Sequence, residues 1–231
     1  RGQDQDASKS KAVKPALQGG FDYTFGETGW YVGNWNSSVD WLANNSLESD
    51  LYGGYCFFNN AAVAAHYVSS TFGTKVTVLD VDYHHGNGTQ EIFYGRDDVQ
   101  YVSLHGDPTR AYPYITGYAD EEGTGRGRGA NLNIPLPKRT EDDPYMSALD
   151  RACEAIRAFN PGLLIVSLGL DTFVTDPISD LAVTQDGFRR SGDLVRQLGL
   201  PTVVLQEGGY DVNALGTNVQ AWLHGLAATK S

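Results

Sequence analysis

Positive charge, sulfur and histidine are what this 231-residue chain has least of. Seventeen Lys and Arg stand against 28 Asp and Glu, a formal net charge of -11. That balance argues against a general nucleic-acid binder, which needs a basic face. It favours cationic partners such as polyamines or lysine-rich tails. Two cysteines, Cys56 and Cys153, are too few for a disulfide framework and suit a reducing compartment, so an intracellular location is expected. No apolar run approaches the length of a membrane span. The single methionine is Met146 and position 1 is Arg, so the natural start is expected upstream of this sequence. None of the five histidines precedes His66, which leaves the first 65 residues without an imidazole for acid–base or metal chemistry.

What is present divides into two parts. Residues 1–52 read as a divergent, aromatic-rich segment: a polar stretch to Lys14, then Phe21, Tyr23, Phe25, Trp30, Tyr31, Trp35 and Trp41 with no sustained helical or strand period. Aromatics on such a segment either pack on a domain surface or meet a partner. Residues 53–231 read as one α/β domain. Short β-branched runs at Val76–Val81, Val99–Leu104, Asn131–Leu136, Leu163–Leu168 and Thr202–Leu205 read as buried strands. Helical spacing fills the intervals: at about 59–71 and 88–95, from a start at Thr140 and Asp142-Asp143 to a stop at Asn160-Pro161-Gly162, and at about 184–198 and 212–226. The alternation predicts a mainly parallel sheet sandwiched by helices. The glycine-punctuated stretch 123–129 lacks the Gly-Lys-Ser/Thr ending of a phosphate loop, and residues 109–129 read as a flexible surface loop.

Chemistry concentrates where the strands end. On the strand from Val76, alternate residues point one way, so Asp80, Asp82 and His84 are expected on one face. Two carboxylates and an imidazole are costly to bring together without a cation between them, and they are ligand types zinc takes at catalytic sites. The competing reading is a polar strand end that happens to be rich in Asp and His. Other strands deliver Ser103, Asp171 and Tyr210 to their carboxyl ends, where ligands bind in parallel α/β sheets. His66, His224 and Cys153 fall on helices and read as structural. Strand parity turns His85 away from the face of His84.

Five segments, in this order, carry a resemblance: Gly53-Gly54-Tyr55-Cys56-Phe57-Phe58-Asn59-Asn60; Asp80-Val81-Asp82-Tyr83-His84-His85-Gly86-Asn87-Gly88; Ser103-Leu104-His105; Leu170-Asp171-Thr172 with Asp176-Pro177; and Glu207-Gly208-Gly209-Tyr210. As a set they resemble the zinc-dependent histone deacetylase and acetylpolyamine amidohydrolase family, on its acetylpolyamine and class II side. The resemblance implies an arginase-like α/β sandwich in which Asp82, His84 and Asp171 bind one zinc ion. It implies that the Tyr210 hydroxyl polarises an acetyl carbonyl. Gly54, Tyr55 and Tyr112 would line a narrow tunnel for an acylated amine or acyl-lysine, with Ile178 near its mouth. Asp80 and Ser103, with backbone carbonyls of Asp82, His84 and Leu104, would hold a structural monovalent cation such as K+.

One departure is large. Members of the family carry an adjacent histidine pair shortly before the Gly-Tyr-Cys loop, where this chain has Trp41 to Asp50 without a histidine. Three readings follow: a deacetylase whose base work is done otherwise, a zinc-retaining pseudoenzyme that binds ligands or partners, and a metal-free structural subunit. The expected outcome is a weak or inactive enzyme. The family's first strands are also unrecognisable here, so another chain, a second copy or a replacement segment is expected to cover the sheet edge.

Overall fold

The computed structural model describes residues 59–228 and the backbone of residues 31–33. In chain order the elements are β1 (Tyr31–Gly33), α1 (Asn60–Phe72), β2 (Val76–Asp80), α2 (Asn87–Phe93), β3 (Val99–Gly106), β4 (Asn131–Leu136), α3 (Asp142–Phe159), β5 (Leu163–Leu168), α4 (Gln185–Arg196), β6 (Thr202–Gln206) and α5 (Leu215–Ala227). The strands form one sheet in the order β1-β6-β5-β2-β3-β4, every pair parallel.

Period-two alternation sorts the strand side chains onto two faces. Val76, Val78, Val99, Tyr101, Ile165 and Leu205 face a smaller core closed by Ala61, Ala62 and Ala65 of α1 and Phe93 of α2. Leu79, Val102, Leu104, Leu164, Val166 and Val204 face a larger core built with α3, α4 and α5. Burial on both faces is why these strands read as continuous apolar runs rather than alternating ones. Cys153 lies in the larger core, fully buried. No helix among the described residues is long and apolar enough to cross a membrane.

Three expectations need correction. The strand carrying the acidic residues stops at Asp80, and residues 82–84 form a bend. The last helix begins at Leu215, because the Asp211 carboxylate accepts hydrogen bonds from the Asn213 and Ala214 amides and turns the chain first. The aromatic segment, read as having no strand period, supplies β1, which pairs with β6 through Tyr31, Val32 and Gly33. Three residues are too few to show alternation, so this edge pairing had no legible pattern.

The order of strands sets the position of the site. From β2 the chain winds outward through β3 and β4; it then returns to β5 and winds the other way to β6. β2 and β5 are therefore neighbours at the point where the winding reverses. At such a point the two connections leave in opposite directions and open a crevice at the strands' carboxyl ends.

Candidate metal centre

Asp82 follows β2 and Asp171 follows β5, so the two carboxylates stand on either side of that crevice. His84 joins them, and one ligand atom from each of Asp82, His84 and Asp171 lies within 4.8 Å of the others. His84 Nδ1 is 3.0 Å from Asp171 Oδ2 and 3.3 Å from Asp82 Oδ1. Turns, rather than strand alternation, bring Asp82 and His84 to one side. Asp80 Oδ1 accepts from the Asp82 amide at 3.1 Å, and Asp82 Oδ1 accepts from the His84 amide at 2.8 Å. Each carboxylate folds its own backbone two residues on.

Backbone donors fix the carboxylates from outside. The Tyr83 amide donates to Asp171 Oδ1 at 2.8 Å, and the Gly208 amide donates to Asp82 Oδ2 at 2.8 Å. Gly208 must be glycine for space: a Cβ there would stand 2.5 Å from Asp82 Oδ2 and 2.7 Å from Asp171 Oδ2. Pairing of β5 and β6 continues past the strands through Leu170 N to the Gly208 carbonyl, 2.8 Å. That bond sets Asp171 and the Gly208-Gly209-Tyr210 turn in register.

The electrostatics favour bound positive charge. Burial raises the Asp171 carboxyl, and the charge of Asp82 raises it further. Burial alone would lower the His84 imidazole, but its hydrogen bonds to Asp171 and Asp82 and their charges outweigh it and push it up to about 10. Both directions have one cause: neighbouring carboxylate charge in a partly buried site favours positive charge beside it. Two carboxylate oxygens and one imidazole nitrogen form a donor set zinc accepts, with room left for exogenous ligands.

Of the other residues named from sequence, Asp80 and Ser103 lie one strand apart in register, Asp80 opposite Ser103, and both are buried. Asp80 Oδ2 accepts from the Tyr101 hydroxyl at 2.9 Å, and burial with the nearby charges of Asp82 and Glu207 raises its carboxyl well above the usual range. Leu104 is fully buried. Tyr112 is 39% exposed with its ring 6.5 Å from that of His84; Ile178 and Tyr210 are also exposed, at the same end of the sheet. Gly54 and Tyr55 lie outside the described residues.

Sequence reading missed several members. Glu207 hydrogen-bonds to Ser167 at 3.3 Å, and burial and the charge of Asp82 push its carboxyl up to about 7. Tyr83 stacks edge-on against His84 and donates its hydroxyl to Asp180 at 2.9 Å. Asp180 in turn receives Arg110 at 3.1 Å, which joins the loop after β3 to the loop after β5. Glu207 stood in a quoted segment and could have been noticed; a lone Asp in a loop carries no such signal.

His85 does turn away. It reaches Thr116 at 3.0 Å and Gln90 at 3.1 Å, and its ring packs against His105. The loop expected to be flexible is fastened here. The Gly117 carbonyl takes His105 Nε2 at 2.9 Å, and Glu121 accepts from the Gly117 amide and the Gln90 side chain, both at 2.8 Å.

Comparison with known proteins identifies the family and the fold. The profile of the family described as "Histone deacetylase domain" matches residues 46–226. Acetylpolyamine amidohydrolase 1 of Pseudomonas aeruginosa is 49% identical over 176 residues, which cover 76% of this chain and 51% of that protein. A probable deacetylase of Methanothermobacter thermautotrophicus is 36% identical over 217 residues, covering 93% of this chain and 61% of the relative. Among solved structures, acetylpolyamine aminohydrolase from Burkholderia pseudomallei superimposes with a TM-score of 0.75 at 47% identity, covering 78% of this chain and 52% of the other. A histone deacetylase homologue complexed with SAHA gives 0.71 at 34% identity, covering 77% and 48%. The chain thus spans about half the length of the acetylpolyamine relatives it matches.

Proposed function

Because the chain belongs to the histone deacetylase domain family, we propose that its site is that of a zinc-dependent amide hydrolase acting on an acylated amine, of acetylpolyamine type. The observation that carries this is the cluster of Asp82, His84 and Asp171 at the reversal of strand winding, with Tyr210 two residues beyond the amide that holds Asp82. When bound there, zinc supplies Lewis-acid polarisation of the amide carbonyl and lowers the pKa of a water. The Tyr210 hydroxyl donates to the carbonyl oxygen as negative charge develops on it, the second half of an oxyanion hole. Tyr112 and Ile178 confine the acyl chain, and the net charge of -11 favours a cationic tail outside. The high identity to acetylpolyamine amidohydrolases supports this substrate class.

Asp80 and Ser103, with the carbonyls of Asp82, His84 and Leu104, are proposed to hold a monovalent cation. The Ser103 geometry supports it. His105 Nε2 donates to the Gly117 carbonyl, so its Nδ1 accepts the Ser103 hydroxyl proton at 2.7 Å, which leaves the Ser103 lone pairs free.

Turnover is proposed to be weak. No histidine stands in residues 1–65 to act as a general base, and loss of that base typically forfeits about 10²–10⁴ in rate. The same absence favours a second reading, a zinc-retaining subunit that binds ligand or partner chains. The test is zinc content by elemental analysis together with acetate release from an acetylpolyamine and an acetyl-lysine peptide. Zinc at about one per chain, slow release abolished in Tyr210→Phe, and faster release in a variant with Asn45→His and Ser46→His are expected. Failure to take up zinc, or unmodified turnover within tenfold of an ordinary family enzyme, would overturn the metal and the weakness claims respectively.

A further inference from the structure

We infer that Asp176 is a positioning residue for Tyr210, holding the phenol over the metal centre through the backbone; the inference rests on the function proposed above for Tyr210. Asp176 is 7% exposed, on the loop between β5 and α4. Among the described residues no cationic side chain pairs with it; it faces backbone N–H groups instead. Its Oδ2 accepts from the Tyr210 amide at 2.7 Å and the Asp211 amide at 3.3 Å, and its Oδ1 accepts from the Ile178 amide at 3.1 Å. A buried carboxylate with acceptor capacity on both oxygens is matched here by three donors.

The need for such a clamp follows from the turn it holds. Gly209 sits at φ 140°, a conformation open to glycine, so the chain entering Tyr210 has no steric wall of its own to fix direction. Upstream, the Gly208 amide is committed to Asp82. The residue after Tyr210 is tied a second time, where the Thr175 hydroxyl donates to the Asp211 carboxylate. Asp176 itself is set by its amide bonding to the Phe173 carbonyl at 2.9 Å, a few residues beyond Asp171. One short loop therefore carries a metal-binding carboxylate at its start and the anchor of the phenol five residues on. Displacing an oxyanion donor by about 1 Å forfeits much of its effect, which makes the anchor functional as well as structural.

Asparagine at 176 cannot reproduce this, since one of its two polar atoms must turn an N–H toward a backbone N–H. The test compares unmodified chain, Asp176→Asn, Tyr210→Phe and the double variant, all zinc-loaded. It reads zinc content, affinity for a hydroxamate, and amide hydrogen exchange at residues 210 and 211. Expected are unchanged zinc, exchange at both amides faster by about tenfold or more, and an Asp176→Asn affinity loss matching that of Tyr210→Phe, about tenfold. The double variant should lose no more than either single one. Unchanged exchange in Asp176→Asn, or a full Tyr210→Phe penalty persisting in its background, would overturn the inference. Should Asp176→Asn fail to fold, Asp176→Glu keeps the charge and displaces the oxygens by one methylene, and the same non-additivity is expected of it. If the unmodified chain binds no hydroxamate with zinc present, the functional reading has failed; the exchange measurement then decides by itself whether Asp176 holds Tyr210.

Discussion

His84 and His85 are adjacent, the first half-buried and the second buried, and have opposite electrostatics. His84 lies among Asp82 and Asp171, whose hydrogen bonds and charges overcome burial and push it up to about 10. His85 lies among Thr116, Gln90 and His105, and burial pushes it down to about 4 despite the hydrogen bonds of Gln90 and Asn133. A one-residue step crosses from a pocket that collects positive charge to one that refuses it. Residue type therefore says little about role here; the carboxylates brought in by the winding reversal decide.

The largest change expected comes from removing that charge. Asp171→Ala should abolish zinc uptake, read by elemental analysis. In metal-free protein the more conservative Asp171→Asn should drop the His84 titration from about 10 toward its ordinary value, measured by imidazole NMR.

The neutral pocket predicts a pH effect of known sign. Unfolded histidine titrates near about 6.5, whereas folded His85 titrates near about 4, so between those values the unfolded chain binds a proton that the folded one does not. The His85 contribution is fully present above pH 6.5 and is lost as pH falls through the window, amounting to about 3 kcal/mol at most. Urea unfolding of metal-free protein and of His85→Gln at a series of pH values isolates it. The variant should lose less stability than the unmodified chain on acidification.

A smaller effect is expected from Gln90→Ala. Gln90 Oε1 lies 3.1 Å from His85, 3.0 Å from Asn131 and 2.8 Å from Asn133, and its amide donates to Glu121. Leaving those buried partners unsatisfied should cost about 2 kcal/mol, with zinc content unchanged. The smallest effect is Tyr83→Phe, which removes the bond to Asp180 on the acidic side. About 1 kcal/mol of unfolding free energy should go, while the His84 ring keeps its edge-on neighbour. If Gln90→Ala lost zinc or Tyr83→Phe cost more than Gln90→Ala, the division between the two pockets would be wrong.

The five strands of the described core were legible in the sequence because burial on both faces leaves long β-branched runs, and the limits of the helix Asp142–Phe159 followed from its acidic first turn and the Asn160-Pro161-Gly162 stop, whereas the start of the last helix did not. Asp82, His84 and Asp171 were legible as polar residues at strand ends. The reason first assigned to them was not correct: β2 stops at Asp80, and local carboxylate turns do what strand alternation was expected to do. β1 was invisible because three residues show no period. Asp176, Asp180 and Gln90 were unreadable as partners because each acts across 30 or more residues or through backbone groups, and sequence spacing records neither.

The proposed ligand set is divided between two stretches of chain, with His84 and Asp171 87 positions apart. An ion held by both is a cross-link closing a long loop, and such a loop is costly to close without one. Metal occupancy is then a term in the folding equilibrium, so the melting temperature should climb with free zinc concentration and fall with chelator. The protein would carry a record of its metal supply in its resistance to heat, whether or not it turns over a single substrate molecule.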